Sequence, residues 1–149
     1  MHLTWEDEVA AHDNRFYWGR NADGSLIPRS VTDVNEVDVD GKAILDIDGN
    51  QVVTLGLKSN AIALAKTQAA GLLATHDWQV IKATEVESYS VPSTVTTYRA
   101  AVRTASNSIE TAITNAADLS AFMALYDTPV DSDGNQTGNA PINDWPDAI

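Results

Sequence analysis

At 149 residues, with a formal net charge of −12 and no cysteine, the chain is long enough to bury a core, and it lacks a disulfide framework, thiolate metal ligands and a cysteine nucleophile. Its nine scattered lysines and arginines argue against a phosphate backbone as partner, because nucleic-acid binding needs clustered cations to displace counterions. No apolar run approaches the roughly 18 residues of a membrane helix, and MHLTWEDEVAAHD at the N-terminus is acidic where a signal peptide is basic and then apolar, so the expectation is a soluble protein made in a cytoplasm, bound neither to membrane nor to nucleic acid.

Thr4 followed by Glu6, Asp7 and Glu8 predicts a short helix over about Trp5 to Asp13, with a hydroxyl cap and carboxylates near the positive end of the helix dipole. Phe16, Tyr17 and Trp18 come next, before an Asn21-Ala22-Asp23-Gly24 turn. Adjacent rings on a strand point to opposite faces. Either the strand is buried on both sides, or one ring is covered by a partner, which makes Phe16, Tyr17 and Trp18 a candidate interface.

From Ile27 to Leu57 the pattern switches to period two. Val37-Asp38-Val39 leads into Asp40-Gly41, Ala43 to Ile47 leads into Asp48-Gly49, and Gln51 to Leu55 follows. Asp-Gly between alternating β-branched runs is a strong hairpin signal, and it predicts a three-stranded antiparallel meander preceded by a hairpin around Asp23-Gly24. The same acids invite a calcium loop. Setting Glu36, Asp38 and Asp40 at the first, third and fifth ligand positions, however, places Ile47 where a bidentate Glu is required. Asp131-Ser132-Asp133-Gly134 has the same opening, and no Glu follows Glu110. Turn chemistry explains both stretches better, and no metal or cofactor is expected.

Ser59 or Asn60 is placed to cap a helix running to about Thr75, with Ile62, Ala65, Ala69, Leu72, Leu73 and His76 forming an apolar stripe at helical spacing. Asp77 is expected to cap a second helix that turns Trp78 and Ile81 toward the core, although QVIKATEV suits a strand equally. Pro92 sits where a first helical residue belongs. Behind it Val95, Tyr98, Val102, Ala105, Ile109, Ile113 and Ala116 keep a helical period, while Arg99 and Arg103 share another face, either solvated or paired. Asp118 is read as the cap of a last helix carrying Leu119, Phe122, Met123 and Tyr126.

The segment from Asp127 to Ile149 holds three prolines, two glycines and five aspartates, a composition that favours a loose, extended acidic tail, with Trp145 as its anchor. No basic residue follows Arg103, so this end suits a basic protein partner, or else the charge serves solubility. The expected organisation is α+β: residues 1–57 with the small antiparallel β meander, 58–126 as a helical hairpin or bundle, and 127–149 as the tail. Catalytic patterns are lacking. His2, His12 and His76 are far apart, and there is no G-x-S-x-G elbow, P-loop or dinucleotide fingerprint. Among 21 acids, picking a carboxylate pair for glycoside hydrolysis would be arbitrary. No enzymatic activity is expected.

Leu72-Leu73, Asp77-Trp78, Pro92 and Tyr98-Arg99 through Arg103 resemble the LL-x-x-x-DW, P, YR-x-x-[LV]-R signature of bacteriophage tail-fibre assembly proteins and related small tail proteins. The end, Pro141-Ile142-Asn143-Asp144-Trp145-Pro146, is similar to the Trp-Pro ending common in that group. The resemblance implies a non-enzymatic role in building or attaching tail fibres. On it, Asp77, Trp78, Pro92, Tyr98, Arg99 and Arg103 are structural motif residues, with Trp78 filling a core. Pro141, Trp145 and Pro146 join the aromatic segment as the partner surface. The Ser/Thr/Ala helix beyond Arg103 and the N-terminal aromatic segment extend past the family pattern. They favour a virion tail or baseplate component, made in the host cytoplasm and oligomeric in its assembly, over an assembly chaperone that leaves. A carbohydrate-binding accessory of the tail, using Trp18, is the more distant alternative.

Overall fold

The computed structural model describes residues 12–149. The helix expected over Trp5 to Asp13 falls almost wholly outside the described residues, as does His2. The fold is α+β. Among the described residues, two antiparallel two-stranded sheets, β1 (Tyr17–Arg20) with β2 (Leu26–Pro28) and β3 (Val34–Asn35) with β4 (Val53–Thr54), precede four helices: α1 (Leu57–Ala74), α2 (Asp77–Glu85), α3 (Ser93–Asn115) and α4 (Leu119–Ala124). A single 3₁₀ turn, Pro141–Asn143, follows. The chain forms two compact units, one of residues up to Asn60 with Ala117–Met123, the other of Ala61–Ala116 with Ala124–Ile149.

In the first unit the Asp13 carbonyl accepts the amides of Phe16 and Tyr17, turning the chain into β1. Phe16 is 3% exposed, and its ring meets Phe122 edge-on at 6.1 Å. Burying a phenyl ring contributes about 1.5–3 kcal/mol, so Phe16 belongs to the unit's core and not to a partner surface. Phe122 is positioned by α4, whose first turn is fixed by Asp118: the Ala121 amide donates to Oδ1 at 2.8 Å. The Tyr17 hydroxyl lies 3.6 Å from Met123 Sδ, while Trp18, on the opposite face of β1, is 61% exposed.

The start of α1 is secured from a distance. The Gly56 amide donates to Asp33 Oδ1 at 2.8 Å, and the Leu57 and Lys58 amides donate to the carbonyls of Ser30 and Val31. Ser59 and Asn60 therefore lie inside the helix and do not cap it, because residues 30–33 already occupy its first amides. Gly56 permits this approach: a Cβ there would overlap the Thr32 backbone carbonyl.

The second unit is built on α3, whose Val95, Tyr98, Val102, Ser106, Ile109 and Ile113 are buried at three- and four-residue steps, the signature of one helix face. Pro92 is not the first helical residue; it stands one position earlier as N-cap, its carbonyl accepting the Thr96 amide. Ala69 of α1, Tyr98 and Val102 form a cluster with Leu72, Leu73 and Trp145 packed against it. The buried Ser106 hydroxyl is satisfied by Glu110 Oε1 at 3.0 Å, and Glu110 also faces Lys66 at 3.6 Å.

Residues 77–85 are helical, which resolves the helix-or-strand alternative. Yet α2 buries none of its residues, with Trp78 57% and Ile81 56% exposed. Trp78 does not fill the core. The large ring against the cluster of Ala69, Tyr98 and Val102 is instead Trp145, brought there after the 3₁₀ turn. The 3₁₀ turn is tied down at Ile142, which is buried and whose amide donates to the Leu125 carbonyl at 3.1 Å.

Candidate functional site

The part of the first unit between residues 34 and 54 has the least to hold it together by burial. Its residues are exposed except for Glu36, Gln51 and Val52, which are half-buried. What organises it is backbone hydrogen bonding. The β3–β4 stem ends at Asn35↔Val53, and two hairpins leave it, closed at Val37↔Ala43 and Leu45↔Gln51. Where the three stems meet, the amides form a ring: Glu36 donates to the Val52 carbonyl at 2.9 Å, Val52 to Ile44 at 2.9 Å, and Ile44 back to Glu36 at 3.0 Å. Gln51 Nε2 then donates into the same three carbonyls, Glu36 at 2.7 Å, Val52 at 3.1 Å and Ile44 at 3.2 Å. The result is a cloverleaf with pseudo-threefold symmetry, in which one amide group closes the centre.

The two leaves are copies. In each, the first Asp donates its amide to the residue four on, and its Oδ1 accepts the amides two and four on. Asp38 does this with Asp40 and Lys42, Asp46 with Asp48 and Asn50. Each closes with a glycine in the left-handed region, Gly41 at φ 78° and Gly49 at φ 84°, the position only glycine adopts without strain. A third copy, Asp131 to Asn135, stands in the second unit with the same bonds and Gly134 at φ 84°. Asn21 to Ser25, with Gly24 at φ 84°, repeats the backbone pattern with Asn in place of the leading Asp. These contacts hold the carboxyls of Asp46 and Asp131 below the ordinary value: the chief causes are the amides of Asn50 and Asn135. Asp23 is lowered by the Ser25 hydroxyl, and Asp33 by the Ser59 hydroxyl and then the Gly56 amide. Of the acids that suggested a calcium loop, Asp38, Asp46 and Asp131 thus direct Oδ1 to the amides of their own turns. Among the described residues no group of three or more His, Asp or Glu side chains is gathered as a metal would need.

This turn geometry moves residues out of the strands that alternation predicts. Val39 and Ile47, expected in strands, sit at the leaf tips and are 102% and 100% exposed. Val37, Leu45, Val34 and Val53 are also exposed. The leaves therefore present exposed aliphatic side chains close in sequence to Asp38, Asp40, Asp46 and Asp48, and none of residues 34–54 is buried.

The motif residues fall into two groups. Asp77 and Arg99 meet: Arg99 Nη1 is 2.8 Å from Asp77 Oδ1 and 2.6 Å from the Leu73 carbonyl, and the Arg99 side chain is only 12% exposed. Asp77 does not cap α2, whose N-cap is His76 with no side-chain capping bond; the Asp77 carboxylate is drawn instead to the arginine. Tyr98 is buried beside them, with the His76 ring edge-on at 5.5 Å. Arg103 is exposed and reaches the Arg99 carbonyl at 3.4 Å. Of the candidate partner residues, Trp18 and Pro141 are exposed, Tyr17 and Pro146 are half-buried, and Phe16 is in the core. Trp145 is seated on its own chain, with Nε1 buried and lacking a hydrogen-bond acceptor. Sequence reasoning did not find Gln51, Asp33 or Gly56. The signal for the first was the eight-residue recurrence of Glu36, Ile44 and Val52 around the two Asp-x-Asp-Gly turns.

No family model, curated protein or solved structure matches the chain. No helix among the described residues is long and apolar enough to cross a membrane.

Proposed function

We propose that the protein is a non-enzymatic structural component of a bacteriophage tail or baseplate, holding a tail fibre or a neighbouring tail protein and oligomeric in that assembly. The observation that carries this reading is the convergence of separate strings of the resemblance. Asp77 of the Asp-Trp pair binds Arg99 of the Tyr-Arg pair, and Trp145 of the Trp-Pro ending packs against the cluster that contains Tyr98. Short strings shared by accident have no reason to meet; strings that build one helical platform do. On that platform the Trp-Pro ending is a fastener. The work of binding a partner then falls to surfaces that fold without burying their own side chains, the cloverleaf leaves foremost.

The runner-up is an assembly chaperone of the same family that leaves once the fibre is attached. Quantitative mass spectrometry of purified virions separates the two. Presence at a fixed ratio to a baseplate or fibre protein is expected, and absence from particles, with the protein present in the infected cell, would overturn the structural role in favour of the chaperone.

A further inference from the structure

Beside the cloverleaf stem lies a pocket of about 600 Å³, lined by Trp18, Arg29, Glu36, Thr54, Leu55 and Asn60 among others. We propose that it is a binding site for a neutral pyranose sugar, and this proposal does not depend on the tail assignment. Three features define the ligand. The first is the Trp18 indole, 61% exposed on the β1–β2 sheet. The Arg29 guanidinium covers one face of this indole, and the flat apolar face left open to water suits a ligand with a flat apolar face and a polar rim, which is what the axial C–H face and hydroxyl edge of a pyranose supply. The second is pre-organised polar planes beside it. Arg29 lies with its guanidinium carbon 3.6 Å from the Trp18 ring centroid and its Nε donating to the Asn14 carbonyl at 2.9 Å. Glu36 is steadied through Oε1 by the Thr54 hydroxyl at 2.5 Å. Guanidinium, carboxylate and the Asn60 amide are planar groups that pair with vicinal hydroxyls, and fixing them beforehand lowers the ordering cost of binding.

The third feature is charge. Arg29 and Glu36 balance each other within the pocket, while the chain carries −12, so phosphorylated or uronic ligands are repelled. A nucleotide is disfavoured for the same reason despite its stacking base. A quaternary ammonium is disfavoured too, because the Arg29 charge held against the indole repels a second cation and, among the described residues, no other aromatic ring lines the pocket.

The test is a titration of the full chain with glucose, galactose, N-acetylglucosamine and their β-linked disaccharides, followed by saturation-transfer NMR and by amide shifts of residues 18–60. At least one neutral sugar should bind saturably with a dissociation constant on the order of 1 mM, the weak range of a single small-ligand site. Trp18→Ala should weaken that binding at least tenfold and Glu36→Gln several-fold, both with unchanged thermal unfolding because neither side chain is in the core. Trp78→Ala, which removes an equally exposed indole elsewhere, should leave it intact. No saturable binding to any of these sugars, or binding that survives Trp18→Ala, would overturn the proposal, as would tighter binding of glucuronate than of glucose.

Discussion

Replacing Trp145 and Trp78 separately puts the packing account at risk, because sequence and structure order the two tryptophans oppositely. Trp145→Ala removes a half-buried ring from the cluster of Ala69, Tyr98 and Val102. A fully buried aromatic costs about 3–5 kcal/mol when truncated, and partial burial brings this to about 1.5–3. The buried indole Nε1–H has no acceptor, and abolishing that unsatisfied donor returns part of a desolvation cost of about 1–3 kcal/mol. The net expectation for Trp145→Ala is a loss of about 1–2.5 kcal/mol. Trp145→Phe keeps most of the ring and removes the orphan donor, so it should fall within about 1 kcal/mol of the parent and is able to exceed it. Trp78, more than half exposed on a helix that buries nothing, should cost no more than about 0.5 kcal/mol as Ala. Urea denaturation followed by far-ultraviolet circular dichroism reads all three variants. At a slope of about 1–3 kcal/mol per molar, Trp145→Ala should lower the midpoint by roughly 1 M and Trp78→Ala should barely move it. A larger loss for Trp78→Ala than for Trp145→Ala would refute the reasoning.

Three further outcomes are expected. Arg99→Met, which keeps the aliphatic stem and removes the bonds to the Leu73 carbonyl and Asp77, should cost about 1.5–3 kcal/mol, the range of hydrogen bonds to a charged group. Asp77→Asn alone should cost under about 1 because that carboxylate is largely exposed, and equal losses would place the energy in the ion pair instead of the carbonyl contact. Gln51→Ala should speed hydrogen exchange at the Glu36, Ile44 and Val52 amides by roughly fivefold or more, while global stability changes little, since the leaves open locally; unchanged exchange would show that the ring holds without its central amide. Finally, the carboxyls of Asp23, Asp33, Asp46 and Asp131 sit below their ordinary value of 3.8 through hydrogen bonds to the ionised form. A depressed folded value means that their contribution is complete above the unfolded value and fades as pH falls through the folded ones. The melting temperature should therefore carry no loss from these groups between neutrality and about pH 4 and should drop below it; a profile that stays level to about pH 2.5 would remove these turns from the stability account.

The helices were legible because their signals are local. The period of Val95, Tyr98, Val102, Ile109 and Ile113 is a property of one segment, and Asp118 caps amides three residues ahead. The turns were legible as turns, from Asp and Gly alone. Sequence did not reveal the leaf geometry, because whether Asp38 begins the turn or ends the strand depends on its side chain accepting two amides, and that choice moves Val39 from a strand to a tip. Nor did it reveal which tryptophan fills the core: Trp78 and Trp145 both follow an aspartate, and only the return of the chain through Ile142 decides between them. Asp33 at the start of α1 was hidden for the same reason, since a cap supplied from 23 residues away leaves no mark beside the helix. In the candidate site, Trp18 was visible as an aromatic in need of cover, whereas the convergence of Arg29, Glu36 and Asn60 beside it is tertiary.

The proposed attachment to a partner through the leaf tips is tested most directly at Val39 and Ile47. Val39 and Ile47 are fully exposed, so replacing both with Asp should leave thermal unfolding unchanged, and what remains is an effect on partners alone. Phage particles produced with this double variant as the sole copy, purified and quantified by mass spectrometry against a capsid protein, should contain at least tenfold less of it than particles made with the parent chain. Incorporation at the parent level would contradict the account.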